Sequence, residues 1–162
     1  MKKIITGCVF LVLLCCAACV KNGSSSNSCT FDACAGAAPD SEVVRIQNYI
    51  AANNISAVKH CSGLYYQIMT EGTGSQPAAC STVLVNYTGY FTNGTVFDKS
   101  ASPSALSLLG VIQGWTRGVP LVKKGGKIKL IIPPSLAYGP KDDRGIPGNS
   151  ILIFEIELLD FR

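Results

Sequence analysis

The chain has 162 residues and a formal net charge of +4, and 48% of its residues are hydrophobic. This length allows one domain and a small additional segment. The charge is low and no basic patch with interleaved aromatic residues is present, so the composition argues against a nucleic-acid partner.

Residues 1–18 have the pattern of a signal peptide. Lys2 and Lys3 form a charged start, and the apolar run of residues 4–18 is short for a membrane span. The segment Cys16-Ala17-Ala18-Cys19 resembles the lipobox of bacterial lipoproteins, except that Cys16 stands where Leu or Val is usual. We therefore expect lipidation of Cys19, with an ordinary signal peptide as the alternative.

The same segment predicts where the protein resides. A lipid on Cys19 would anchor the chain to a membrane of the bacterial cell envelope, and Val20 in the next position favours the outer membrane, facing the periplasm. Residues 19–38 would form a polar, flexible tether, because residues 21–28 are almost all small or polar. Loss of Lys2 and Lys3 lowers the formal charge from +4 by two, to +2.

Four cysteines follow the predicted lipidation site, and an even number in an oxidising compartment predicts two disulfides. Three pairings are possible, and short local loops favour Cys29–Cys34 with Cys61–Cys80. A zinc site is the alternative, but His60 is the only histidine and no Cys-x-x-Cys spacing occurs.

Residues 39–61 predict a helical extension before the main domain. Asp40 or Ser41 would cap a helix that continues to about Asn53. Its apolar residues recur at helical spacing, and three turns are short for an autonomous coiled coil, so we expect docking on the domain and a monomer. The apolar stripe consists of Val43, Ile46 and Ile50.

From residue 62 onward the pattern predicts β-structure. A turn at residues 71–74 is interpreted as a hairpin, and Asn93-Gly94 predicts a second hairpin with a type I′ turn. Residues 114–121 form a short helical candidate that Pro120 ends early. The fold class is therefore α+β, an antiparallel sheet with one short helix against one face. Strands are predicted at residues 64–68, 82–91, 96–98, 127–132 and 151–159.

Conventional catalytic machinery is nearly absent from the sequence. His60 lies beside Cys61, but the thiol is better explained as a disulfide partner than as a nucleophile. Asp142 and Asp143 are adjacent carboxylates on a charged loop, which are usually solvated. No glycine-rich phosphate loop is present. We therefore expect no cofactor and no metal, and neither hydrolysis nor phosphoryl transfer.

The segment 127–139 carries the most informative residue. An apolar run at residues 130–132 predicts a buried strand, which Pro133-Pro134 ends because proline cannot donate to a ladder. Tyr138 follows on a turn, where its hydroxyl is a candidate hydrogen-bond donor to a ligand. Considered alone, Tyr138 would more simply be a half-buried turn aromatic.

Seven blocks of aromatic, glycine and branched residues carry a family resemblance. They are Tyr87-Thr88-Gly89, Gly94 through Phe97-Asp98, Val111-Ile112-x-Gly114-Trp115, Gly125-Gly126-Lys127, Ile132-Pro133-Pro134-x-Leu136-Ala137-Tyr138-Gly139, Ile146-Pro147 and Phe154-Glu155-Ile156-Glu157-Leu158-Leu159. In this order they resemble the FK506-binding protein (FKBP) family of peptidyl-prolyl cis-trans isomerases, over residues 62–162. The resemblance implies a twisted antiparallel sheet wrapped around a short helix, with an apolar pocket between them.

The resemblance also implies roles for single residues. Trp115 would form the pocket floor, and Tyr138 and the backbone N–H of Ile146 would donate hydrogen bonds to the substrate. The residues expected to act directly in catalysis are Tyr138, Asp98 and Phe97. For some of the apolar residues, such as Val111, a plain core position is the alternative. The complete expected pocket is Tyr87, Phe97, Asp98, Leu106, Val111, Ile112, Trp115, Tyr138, Ile146 and Phe154.

Three departures from the family pattern are visible. Leu106 stands where the family often has phenylalanine, which would loosen one wall of the pocket. Gly148 replaces the second proline of the usual pair after Ile146, which would make that loop more mobile. The loop of residues 140–144 is highly charged and borders the expected site.

The function implied by the resemblance is isomerisation of X-Pro bonds in unfolded or newly exported polypeptides. FK506-like macrolides would be inhibitors. A chaperone module that binds proline-containing segments with little turnover is the alternative, and a structural envelope lipoprotein is a third reading.

Overall fold

The computed structural model describes residues 29–162. The predicted signal peptide, the predicted lipidation site Cys19 and residues 19–28 of the predicted tether lie outside this range. Within residues 29–162, no helix is both long and apolar enough to cross a membrane.

In the described range, seven strands form one sheet in which every pairing is antiparallel. Their order across the sheet is β1-β2-β6-β7-β3-β4, and β5 also pairs with β3. The α+β prediction is confirmed. The short strands β1 and β5 were not predicted, because two and four residues are too few to display a periodicity. The strands are β1 Val58–Lys59, β2 Tyr65–Thr70, β3 Thr82–Phe91, β4 Val96–Lys99, β5 Ser104–Ser107, β6 Lys127–Ile132 and β7 Leu152–Phe161.

The core lies against the central strands β6 and β7. Leu130, Ile131 and Ile132 are fully buried, which confirms the buried strand predicted from that apolar run. They pair with Phe154, Ile153 and Leu152 of β7. Pro133 and Pro134 then leave the sheet, and a single 3-10 turn, Pro134–Leu136, leads the chain toward Tyr138.

The short helix α2, Gln113–Gly118, packs directly on strand β6. A Cβ on Gly114 would overlap the side chain of Ile132, and one on Gly118 would lie 2.6 Å from the terminal carbons of Leu130. Two glycines four residues apart therefore allow the helix backbone to approach the sheet closely. The α-helix ends before Pro120, as predicted, and is followed by the 3-10 turn Val119–Leu121.

Two turn predictions are corrected. The β3–β4 hairpin exists, but only Gly94 has a positive φ (84°), so Asn93 does not adopt a type I′ conformation. Gly94 N–H donates to the Phe91 carbonyl at 2.9 Å, which fits a three-residue hairpin loop. Residues 72–74 do not form a hairpin, because β2 pairs with β1 and β6 rather than β3.

Helix α1, Asp40–Ala52, occupies most of the predicted extension. Val43 and Ile46 are buried in the common core, so the prediction that this helix docks on the domain is confirmed. The predicted cap is wrong: Pro39 occupies the N-cap position, and no side chain in the described part of the chain caps the helix. Asp40 and Glu42 instead place negative charge in the first turn, where the helix dipole favours it.

The predicted disulfide pairing is wrong. The bonds join Cys29 to Cys80 and Cys34 to Cys61, with Cα–Cα distances of 5.9 and 5.3 Å. Short loops cost less entropy to close, but tertiary packing decided which thiols meet. The segment that carries Cys29 and Cys34 crosses the domain surface, and each cysteine lies beside a distant one.

Arg117 on α2 holds this segment in place. Its guanidinium donates to the carbonyl oxygens of Ala33 (3.1 Å) and Ala35 (2.8 Å) and lies 5.6 Å from the ring centre of Phe31. Its burial lowers the pKa of the guanidinium. With both disulfides, these contacts attach residues 29–38 to the domain, so the flexible-tether prediction is wrong for that part of the tether.

Candidate functional site

Trp115, the third residue of α2, is the centre of an aromatic cluster. Its side chain is 3% exposed. The rings of Tyr87 on β3 and Phe154 on β7 both lie 5.2 Å from it, centroid to centroid, at interplanar angles of 86° and 87°. Such edge-to-face contacts stabilise aromatic pairs beyond the area they bury. Three different elements therefore fix the three rings against one another.

Phe97, on the hairpin strand β4, supports Phe154 from the other side. The two rings lie 5.5 Å apart at 90°, and the Phe91 ring lies 4.9 Å from the Phe97 ring at 42°. Gly89 on β3 makes room for both rings, because a Cβ there would lie 2.7 Å from Phe154 and 2.8 Å from Phe97. The glycine of the Tyr87-Thr88-Gly89 block is thus explained by close approach.

Asp98, beside Phe97, is the carboxylate of the site. It accepts a hydrogen bond from the Tyr87 hydroxyl at 2.9 Å. Burial and then this bond to a carboxylate raise the pKa of Tyr87 to about 12. Tyr87 therefore stays a neutral donor across the physiological range and holds Asp98 in place.

Tyr138 stands on the turn after β6, and Gly139 next to it has a positive φ of 79°. Among the described residues, the structure gives the Tyr138 hydroxyl no hydrogen-bond partner, in contrast to the Tyr87 hydroxyl. Burial raises the pKa of Tyr138, and the nearby positive charge of Arg144 opposes this shift. The result is a protonated, half-buried phenol with a free donor.

These side chains surround an open cavity of about 390 Å³. Eight of the ten predicted pocket residues line it, and two residues that were not in the predicted set, Gly110 and Arg144, complete the wall. Arg144 belongs to the charged loop of residues 140–144. The expectation that this loop borders the site was the signal that could have identified Arg144 as a lining residue. The lining consists of Tyr87, Asp98, Leu106, Gly110, Val111, Ile112, Trp115, Tyr138, Arg144 and Phe154.

Two predicted residues lie behind the wall. Phe97 contacts Phe154 rather than the cavity, and Ile146 is a buried core residue with 6% exposure. The Ile146 N–H donates to the Asp143 carbonyl at 2.8 Å and so is already paired. The prediction that this N–H meets a substrate is therefore not supported by the geometry.

Gly148 has a packing role that differs from the predicted one. A Cβ at this position would collide with the carbonyl of Pro140, and the Gly148 N–H donates to the Asp142 carboxylate at 2.8 Å. The loop is folded closely on itself where more mobility was expected. A second proline here would lose the N–H and could not fit this backbone arrangement.

No other chemical centre competes with the cavity within the described part of the chain. Residues 29–162 contain no group of three or more His, Cys, Asp or Glu side chains that could hold a metal ion. His60 accepts the Ser62 N–H at Nδ1 (3.2 Å), and burial followed by the charge of Arg117 lowers its pKa. Its neighbour Cys61 is in a disulfide, as interpreted from the sequence.

Known proteins share this sequence region. Residues 74–159 match the family described as FKBP-type peptidyl-prolyl cis-trans isomerase. The isomerase FkpA of Escherichia coli (strain K12) is 50% identical over 104 residues, which cover 62% of this chain and 38% of that protein. FkpA of Buchnera aphidicola subsp. Acyrthosiphon pisum is 45% identical over 122 residues, covering 71% and 51%. The chain thus spans from about two fifths to about half of these curated relatives.

Solved structures share the fold. The crystal structure of FkpA from Escherichia coli superimposes with a TM-score of 0.69 and 41% identity, covering 76% of this chain and 60% of that one. A peptidyl-prolyl cis-trans isomerase from Pseudomonas syringae pv. tomato gives 0.67 and 31% identity, covering 76% and 96%. Because the matched segment 74–159 is more than half of the chain and contains the whole aromatic cavity, the chain belongs to the FKBP-type peptidyl-prolyl cis-trans isomerase family.

Proposed function

We propose that this domain accelerates cis-trans rotation of X-Pro bonds in polypeptides. The observation that carries the proposal is the cavity itself. Trp115, Tyr87 and Phe154 form a rigid apolar site, and the unpartnered hydroxyl of Tyr138 lies at its wall. Members of this family bind proline-containing substrates and FK506-like ligands, which agrees with a cavity of this composition.

The chemistry needs no nucleophile. Rotation about an X-Pro bond faces a barrier of about 18–20 kcal/mol that comes mainly from amide resonance. The cis and trans forms differ by only about 0.5–1 kcal/mol. A site that binds the twisted amide better than either planar form lowers the barrier without a covalent intermediate. The twisted amide has a less polar carbonyl, so it loses less when an apolar site removes it from water.

The roles of the residues follow from their environments. Trp115 and Phe154 would contact the proline ring, and Phe97 would pack against Phe154 and fix its orientation. Tyr138 would donate its free hydroxyl to a substrate carbonyl. Asp98 accepts a hydrogen bond from the Tyr87 hydroxyl, so it would orient that ring and set the polarity of the rim. Leu106 contributes a smaller wall than phenylalanine would.

A protease-coupled prolyl-peptide assay tests the proposal. We expect the purified protein to accelerate isomerisation, FK506 to abolish the acceleration, and Trp115→Leu and Phe97→Ala to reduce kcat/KM. Asp40→Ala is a matched control, since this exposed residue of α1 lies outside the cavity lining. No acceleration by the parent, together with suppression of aggregation of an unfolded client, would establish the binding-module alternative instead.

We also propose that the protein works at the cell envelope on newly exported chains. Support comes from Lys2 and Lys3, the apolar run after them, and the Cys16-Ala17-Ala18-Cys19 segment. Two disulfides among the described residues fit an oxidising compartment. Labelled palmitate should appear in the protein and disappear in Cys19→Ala, and the parent should fractionate with the outer membrane. Labelling of the Cys19→Ala variant would overturn the proposed anchor site.

The protein should be a monomer. Val43 and Ile46, the most apolar part of the α1 stripe, are buried against the domain and offer no seam for a partner helix. Sedimentation equilibrium checks this expectation. A dimer that Val44→Asp, at an exposed position of the same helix, converts to a monomer would contradict it.

A further inference from the structure

Helix α1 reaches the loop that carries Tyr138 at two points. The Glu42 carboxylate accepts both the backbone N–H (3.0 Å) and the hydroxyl (2.8 Å) of Ser135, three residues before Tyr138. Arg45, one helical turn later, donates to the carbonyl oxygen of Asn149 at 2.8 Å. Glu42 and Arg45 therefore hold the two ends of one loop, residues 135–149.

The two ends of this loop are also connected to each other beside Tyr138. The Gly139 N–H donates to the Pro134 carbonyl at 2.8 Å, and the Gly139 carbonyl accepts the Asn149 N–H at 2.9 Å. Together with the two contacts from α1, these bonds make a closed ring. The ring runs from Glu42 to Ser135, through Gly139 to Asn149, and returns to helix α1 at Arg45.

Helix α1 is itself a firm support for this ring. Val43 is 4% exposed and Ile46 is fully buried, and these two residues follow Glu42 and Arg45 directly. The Ala38 N–H, just before the helix, donates to the Ser62 carbonyl at 2.8 Å. The polar contacts of Glu42 and Arg45 are thus made from a helix that the core holds in place.

We propose that Glu42 and Arg45 are positioning residues for Tyr138. Through Ser135 and Asn149 they hold the loop so that the Tyr138 hydroxyl lies at the cavity wall before a substrate arrives. The family match begins at residue 74, so both residues lie in a segment outside the matched region. This inference rests on the proposed isomerase function for its kinetic consequence, but the loop contacts can be tested separately.

The kinetic test compares Glu42→Ala and Arg45→Ala with Asp40→Ala, which lies in the same first turn of the helix. Because each variant removes charge-assisted but solvent-accessible hydrogen bonds, we expect KM for a prolyl peptide to rise about three- to tenfold with kcat within about twofold. Glu42→Gln keeps an acceptor oxygen and should restore most of the loss. Asp40→Ala should leave KM unchanged.

A double-variant measurement distinguishes positioning from general stability. In a Tyr138→Phe background the donor is already lost, so Glu42→Ala should change KM by less than about twofold. An effect of Glu42→Ala that is equally large with and without the Tyr138 hydroxyl would overturn the proposal. A lower Tm with an unchanged KM would overturn it as well, because the contact would then be purely structural.

Hydrogen exchange supplies a readout that does not depend on activity. The amides of Gly139 and Asn149 are the paired donors within the ring, so they should exchange faster in Glu42→Ala and Arg45→Ala than in Asp40→Ala. An inactive parent with this pattern would refute the isomerase proposal and leave the loop contacts intact. Unchanged exchange in both variants would refute the positioning role.

Discussion

Removing the two disulfides one at a time tests how much each bond stabilises the folded protein by restricting the unfolded chain. The Cys34–Cys61 bond, with a separation of 27 residues, lies inside the loop that Cys29–Cys80 closes over 51 residues. Because the bonds are nested, the Cys34–Cys61 bond shortens the loop left for Cys29–Cys80 from 51 to about 25 residues, and each bond thereby reduces the contribution of the other. On the chain-entropy account, loss of Cys29–Cys80 alone should then cost about 3.5 kcal/mol, loss of Cys34–Cys61 alone about 3 kcal/mol, and loss of both about 7 kcal/mol.

Urea unfolding measures these values. The variants are Cys29→Ala with Cys80→Ala, Cys34→Ala with Cys61→Ala, and all four substitutions together. Unfolding is monitored by the fluorescence of Trp115, the only tryptophan in the sequence. The two paired variants should have closely similar midpoints in spite of their different separations. The fourfold variant should lose most of a typical domain stability of about 5–15 kcal/mol.

A reducing agent supplies the control, since it should destabilise the parent but leave the fourfold variant unchanged. A difference above about 2 kcal/mol between the two paired variants would refute the nested-loop argument. A non-reducing digest that joins Cys29 to Cys34 would refute the pairing itself.

Four further predictions concern the site. Tyr138→Phe should weaken FK506 binding about three- to tenfold with no change in Tm, because its hydroxyl has no partner to lose among residues 29–162. Tyr87→Phe should instead lower the free energy of unfolding by about 1 kcal/mol, because it breaks the bond to Asp98. The pH profile of kcat/KM should be flat from about pH 6 to 9, since both hydroxyls have raised pKa values, and a bell-shaped profile with two neutral pKa values would contradict the mechanism. An unfolded tyrosine has a pKa of about 10, whereas folded Tyr87 retains its proton up to about pH 12. The free energy of unfolding, measured with denaturant, should therefore fall as the pH rises from about 10 to about 12. It should fall less in Tyr87→Phe, which lacks this titrating hydroxyl. Gly89→Ala should cost about 1–3 kcal/mol and lower kcat/KM, because the new methyl group meets the rings of Phe97 and Phe154; an unchanged Tm with full activity would show that these rings can move aside.

The strands and the aromatic residues of the site could be predicted from the sequence. Strand 82–91 has the predicted ends, and the apolar run at residues 130–132 correctly indicated a buried strand at the centre of the sheet. Alternation and apolar runs are local properties, so a single sequence displays them. The pocket side chains were identified because their blocks carry the family resemblance in chain order.

Turn geometry and disulfide pairing were decided outside the local sequence. Asn93-Gly94 marked a hairpin, but the register with β3 selected a loop in which only Gly94 takes a positive φ. Cys34 lies beside Cys61 because Arg117 of α2 binds the carbonyl oxygens of Ala33 and Ala35, on either side of Cys34, and so holds that segment against the domain. Such contacts join residues far apart in the chain, and no local pattern records them.

The sequence by itself determined the fold class, the buried strand and the residue types of an apolar site. Only the tertiary structure decided how they are arranged: it paired Tyr87 with Asp98, gave the Tyr138 hydroxyl no partner among the described residues, paired the Ile146 N–H with Asp143 and brought Arg144 to the wall. The physical reason is that composition and periodicity fix which surfaces become buried. The partner of each polar group depends on distances across the folded chain.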